Sequence, residues 1–306
     1  MTLHRDSPAL PILALIVACS LWASSFVVLK VAFRSYDPMV VLFGRMLVAS
    51  LCFLALWRNF RGVRYQRGDW KPLLFMAFCE PCLYFVFEST ALQYTDASQA
   101  GMIVALLPLM MAAAAHVFLG ERHSMRTWAG FATAIAGACW LSASSQATAA
   151  SPNPIFGNFM EFVAMVCATG YMITLKRMSV RYPPLFLTAV QAFCGTVFYL
   201  PLVFLPSTTP PTSFDPMGVA AILYLGLGIT LVAYGLYNYG TSRIPASQAS
   251  AFTNLIPVVT LIMGVLLLDE RLLPAQYLAS ALVLLGVWLS QDRKRRRAAV
   301  REHLAG

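Results

Sequence analysis

Charge is scarce in this chain: Asp, Glu, Lys and Arg together make up only 11% of its 306 residues. A soluble domain carries about 25% charged residues, because its surface must be solvated by water. The shortage excludes an ordinary globule and makes lipid the solvent for most of the surface. Histidine is rare too, at four residues, and only His116 falls inside an apolar run. There is no G-x-x-x-x-G-K phosphate cradle, no H-E-x-x-H and no G-x-S-x-G elbow, which removes the common nucleotide-binding, metalloprotease and hydrolase readings. The seven cysteines all lie in apolar runs. Cys79 and Cys82 form a C-x-x-C with no second ligand pair to complete a metal site, so they read as packing residues. No metal, no cofactor and no catalytic residue is expected.

Apolar residues, at 59% with a mean hydropathy of +0.68, fill the space that charge leaves. A membrane span needs about 20 such residues in a row. On that measure the chain divides into ten helices, at roughly 10–32, 38–57, 72–93, 98–119, 126–145, 155–176, 184–205, 217–240, 246–268 and 274–291. Turn signals such as Ser35-Tyr36-Asp37-Pro38 and Ser151-Pro152-Asn153-Pro154 separate them. The first run continues through Trp22 and Phe26 to Val31, well past the length of a signal-peptide core, and reads as a retained helix. Tyr36, Trp57 and Trp70 fall at belt depth, where aromatic rings anchor a span at the interface.

Basic residues set sidedness. With the N-terminus inside, eighteen of the 22 Lys and Arg residues face the cytoplasm, from Arg5 through the Arg58–Lys71 loop to Arg293–Arg297 and Arg301. Lys30, Arg34 and Arg271 face outward, and Arg45 lies within a span. Both termini are therefore expected in the cytoplasm of a multi-pass inner-membrane protein. The +9 net charge is a topology signal touching anionic lipid, with no nucleic-acid partner.

The chain also repeats itself. Residues 91–141 align without a gap on 240–290: Ala97-Ser98-Gln99-Ala100 matches Ala246-Ser247-Gln248-Ala249, Pro108 matches Pro257, and Leu119, Glu121, Arg122 and Gly137 match Leu268, Glu270, Arg271 and Gly286. A weaker match sets Leu29-Lys30, Tyr36 and Pro38 on Leu175-Lys176, Tyr182 and Pro184. Five spans per unit is an odd number, so the copies must cross the bilayer in opposite directions, a recurrent way to build a carrier. The parts are a cytoplasmic N-terminus (1–9), repeats at 10–145 and 155–291 around an external linker (146–154), and a basic tail (292–306).

The doubled unit, with its A-S-Q-A, mid-helix proline, E-R pair and Gly-rich last helix, resembles the EamA family of the drug/metabolite transporter superfamily over almost the whole chain. The resemblance implies ten transmembrane helices in two inverted five-helix repeats, with helices 1–4 and 6–9 around a central cavity and helices 5 and 10 peripheral. It also implies export of amino acids or related small polar metabolites by alternating access. An uptake permease or exchanger of the same fold is the alternative, ahead of a channel or a membrane-embedded enzyme.

Ionisable groups inside a span cost about 2.5–3.5 kcal/mol each and mark function. Arg45, Glu80, Glu88 and Glu161 are therefore candidate substrate contacts, with Arg45 expected to pair with one of the carboxylates until a substrate carboxylate competes. Trp22, Tyr84, Tyr171, Tyr234, Asn238 and Asn254 bring polar tips into spans and complete the candidate set. Pro81, Pro108 and Pro257 are expected to hinge or kink their helices. Gly130 with Ala134, and Gly226 with Gly228, permit close helix approach. The Glu121-Arg122 and Glu270-Arg271 pairs read as helix ends with local charge pairing and caps, structural in role. A small metabolite, membrane lipid and, through Glu80 and Glu88, protons are the expected partners.

Overall fold

Asp37, Asn153 and Asp215 each precede a proline, and each turns a side-chain oxygen onto the first free amides of the helix that follows. Proline at the first helical position loses no hydrogen bond, and the cap satisfies amides that have no intrahelical partner. Such signals divide the chain where the apolar runs do. The structure, a computed structural model, describes residues 9–60, 62–119, 124–244 and 249–290. Ten helical segments follow in order: α1 (Ala9–Ala32), α2 (Pro38–Ala55), α3 (Trp70–Tyr94), α4 (Ala97–Val104 and Leu107–Leu119), α5 (Met125–Ala143), α6 (Pro154–Met178), α7 (Pro184–Leu202), α8 (Pro216–Arg243), α9 (a 3₁₀ turn Ser250–Asn254, then Leu255–Leu267) and α10 (Pro274–Ser290). Seven of these, α1–α4 and α6–α8, are long and apolar enough to cross a membrane, and α9 and α10 are shorter apolar helices. The 19 residues of α5 reach about 28 Å at 1.5 Å per residue, close to the ~30 Å of a bilayer core. The chain is an all-α membrane protein of two inverted repeats, α1–α5 and α6–α10. Glu121-Arg122 and the basic tail lie outside the described residues.

The two halves hold each other by reciprocal contacts. Tyr36, expected as an interfacial anchor, is instead buried, and its hydroxyl accepts the Asp215 amide at 2.8 Å. Tyr182, its counterpart in the second repeat, donates to Asp69 at 2.8 Å, where Arg181 adds an ion pair at 2.8 Å. Asp69 and Asp215 stand at the starts of α3 and α8, so the tyrosine after each repeat's first helix ties down the third helix of the other. Trp57 and Trp70 are about half exposed, as belt residues should be.

Glu270 acts as a cap, but for a helix of the other repeat, and its expected local pairing with Arg271 is not made. Its carboxylate accepts the amides of Ala97 at 2.7 Å and Ser98 at 2.9 Å, together with the Ser98 hydroxyl. It thus caps α4 from the far repeat, where Asp96 leaves the N-terminus without a side-chain cap. A carboxylate is the natural occupant there, facing free N–H groups and the positive end of the helix dipole. Its partner is a helix of the first repeat, not the adjacent Arg271.

Helices α5 and α10 pack on each other at the side of the bundle. A side chain at Gly130 would meet the Gly286 carbonyl at 2.5 Å, so this seam admits no larger residue. Gly226 lies against Val48 of α2, but Gly228 faces only Tyr224 of its own helix and makes no interhelical approach.

Prolines coincide with breaks. α4 is interrupted between Val104 and Leu107, just before Pro108, and α9 changes from a 3₁₀ turn to α-helix just before Pro257. α3 contains a π stretch, Phe78–Leu83, with Glu80 in an extended conformation (φ −150°, ψ 118°) and a cis Glu80–Pro81 bond. α8 has its own π stretch, Leu225–Ala233, with no proline in it.

Candidate functional site

The breaks and the ionisable residues meet at one place. A narrow cavity lies where the repeats face each other, lined from α1, α2, α3, α4, α6, α8 and α9, with nothing from α5 or α10. Six of the ten candidate contacts line it: Trp22, Arg45, Glu80, Tyr84, Glu88 and Tyr234. Apolar side chains, including Phe26, Phe85, Met165, Met172 and Ile229, form the rest of the wall.

Arg45 is 1% exposed. Its Nε donates to Thr230 Oγ1 at 3.2 Å, and its guanidinium lies 4.0 Å from the centre of the Phe85 ring. A cation over an aromatic face gains about 2 kcal/mol when desolvated, which offsets only part of the several kcal/mol that burial of a charge costs. Arg45 forms no ion pair among the described residues, so the expected pairing with a carboxylate is not made. Its Nη1 is buried without an acceptor. The Trp22 indole N–H, on the same cavity wall, is likewise buried and unpartnered.

Both cavity carboxylates are engaged by tyrosines. Glu80 Oε1 accepts the hydroxyl of Tyr234, and Glu88 Oε1 accepts that of Tyr84 at 3.0 Å. The Tyr234 ring meets Trp22 edge-on at 5.0 Å, so one tyrosine touches both the acid and the indole. Carbonyls at the α3 break are taken by a neighbour: Gln191 of α7 donates to Glu80 O at 3.0 Å, and Tyr199 of α7 donates to Cys82 O at 2.6 Å. That leaves the Glu80 side chain, and not its backbone, to face the cavity.

Four candidates lie elsewhere. Tyr171 donates to Asn238 at 2.9 Å, and Asn238 donates to Thr188 at 2.8 Å, forming a buttress behind Tyr234. Asn254 precedes the Pro257 turn with its Oδ1 buried and unpartnered, outside the cavity wall. Glu161 is fully buried off the cavity. His116 packs against Trp128 of α5, ring centres 5.5 Å apart, on the outer side of α4. Thr230 was not anticipated: its hydroxyl donates to Leu225 O at 3.0 Å, inside the α8 π stretch, while accepting from Arg45. No cluster of metal-ligating side chains forms among the described residues.

This architecture has known relatives. The chain is 28% identical to an uncharacterized transporter of Archaeoglobus fulgidus over 85% of its own length and 89% of that protein's. It is also 28% identical to a probable terminal-alkyne amino-acid exporter of Streptantibioticus cattleyicolor, covering 94% and 95% of the two chains. A protein of known crystal structure shares the fold at 19% identity with a TM-score of 0.60, covering 89% of this chain and 97% of that one. The EamA-like transporter family matches twice, at residues 9–143 and again at 155–291. The chain belongs to the EamA-like transporter family.

Proposed function

We propose that this transporter exports a neutral amino acid with an apolar side chain by alternating access through the inter-repeat cavity. The supporting observation is that the unpartnered Nη1 of Arg45 and the unpartnered Trp22 N–H belong to residues lining one cavity. Two buried donors without an acceptor are costly, by roughly 1–3 kcal/mol each, and a substrate carboxylate between them relieves both. Glu80, across the same cavity, supplies the opposite charge for an ammonium group. The aromatic and thioether walls suit an apolar side chain. The exporter of Streptantibioticus cattleyicolor, with its amino-acid substrate, agrees in class. The basic loops support a reading with both termini in the cytoplasm and the protein in the inner membrane, its repeats bounded near 10–145 and 155–291.

The test is counterflow into liposomes holding the purified protein, with labelled L-leucine, L-methionine and L-phenylalanine. Saturable accumulation against unlabelled substrate is expected, falling at least tenfold in Arg45→Ala. Equal counterflow by Arg45→Ala, or none for any of the three, overturns the proposal. Substrate turnover would instead indicate an enzyme, and non-saturating flux a channel.

A further inference from the structure

Glu161 is a charge-bearing residue that the fold buries without a hydrogen-bond partner. It stands on α6 with 0% of its surface exposed, and neither carboxylate oxygen receives a hydrogen bond. It lines no part of the cavity wall. α6 packs along α3, and across that contact Glu161 interacts electrostatically, without a hydrogen bond, with Glu88 and Tyr84 of α3. Tyr84 gives its hydroxyl to Glu88 and not to Glu161. The Arg45 guanidinium likewise acts on Glu88. The two carboxylates are thus neighbours of unlike standing: Glu88 has a hydrogen-bond donor and a cation nearby, and Glu161 has neither.

A bare carboxylate at this depth, beside a second one, combines desolvation with like-charge repulsion. Two buried carboxylates that repel one another do not both ionise, so together they hold one proton. We propose that Glu161 and Glu88 form a proton-binding pair, with the proton on Glu161 and the charge on Glu88. The pair adjoins the substrate cavity through Glu88 and is separate from it at Glu161. Transfer along it breaks the Glu161 O–H bond and forms one at Glu88, so the pair keeps a net charge of one while the proton moves to the cavity wall. A substrate carboxylate on Arg45 withdraws the cation that steadies Glu88, and this links proton position to occupancy. Only that link rests on the amino-acid reading.

Two measurements test the pair. The first is infrared spectroscopy of the protein in liposomes, without substrate, in neutral buffer with deuterium exchange. The wild type should show a protonated-carboxyl stretch that Glu161→Gln removes and Glu80→Gln leaves in place, with all three melting cooperatively. A stretch that survives Glu161→Gln overturns the proposal whatever the substrate proves to be. In the second, a trapped pH dye follows proton movement as an L-methionine gradient runs down. Proton flux is expected with the wild type and absent with Glu161→Gln, and unchanged proton flux in that variant also overturns the pair.

Discussion

Tyr234 shows how much a single hydroxyl can hold in this cavity. It donates to Glu80, its ring meets Trp22 at 5.0 Å, and the ring of Tyr171 stands 6.2 Å behind it. Tyr234→Phe keeps both ring contacts and strips a buried carboxylate of its donor, which costs about 1–3 kcal/mol. The variant should melt lower and bind zwitterions more weakly, while Trp128→Phe on α5, a helix that lines no part of the cavity, should leave counterflow unaffected. Melting curves and counterflow affinities in detergent and liposomes check this, and equal affinity would remove Tyr234 from the site. Residues of this kind were legible in the sequence because a polar tip in an apolar run is expensive and needs a reason. The apolar wall was not: Phe26, Phe85 and Ile256 read the same whether they face lipid, a neighbouring helix or the cavity. The buttress of Tyr171 and Asn238 carries the same polar signal as the lining residues, and only the fold separates them.

At the scale of elements, prolines announced the interruptions of α3, α4 and α9, because a residue without an N–H and with a fixed φ cannot sit quietly in a helix interior. The π stretch of α8 has no such mark. It comes with a tertiary contact, the Thr230 hydroxyl bonding Leu225 O while taking Arg45 Nε, which no local pattern encodes. The α4 cap was hidden for the same reason, since Glu270 reaches an N-terminus that lies 172 positions away in the chain. Glu270→Ala would leave the amides of Ala97 and Ser98 without a partner at a half-buried end. Loss of a cap costs about 1 kcal/mol and loss of charged hydrogen bonds somewhat more, so a destabilisation of about 2 kcal/mol is expected. Thermal unfolding should place Glu270→Gln between the wild type and Glu270→Ala, because the amide oxygen can still accept one of the bonds. Identical melting of all three would show the cap to be idle.

For the whole molecule, the reciprocal ties follow from a unit of five helices used twice. Tyr36 with Asp215 and Tyr182 with Asp69 join matching positions of exchanged repeats, though through different atoms, and a pseudo-two-fold axis in the membrane plane produces that pairing. Such an axis carries one end of the bundle onto the other, so matching loops must emerge on opposite faces. Arg122 and His123 follow α4 and Arg126 opens α5, whereas Arg271 alone follows α9, a contrast that supports an inside position for the first. Single cysteines at His123 and Leu272, in a background with the seven native cysteines replaced, should therefore label differently with an impermeant maleimide. Leu272→Cys is expected to react on intact cells, and His123→Cys only after lysis. Reaction of both from the same face would break the link between the odd helix count and the cavity, because a carrier that exposes one site to alternate sides by exchanging the conformations of its halves requires those halves to be inverted.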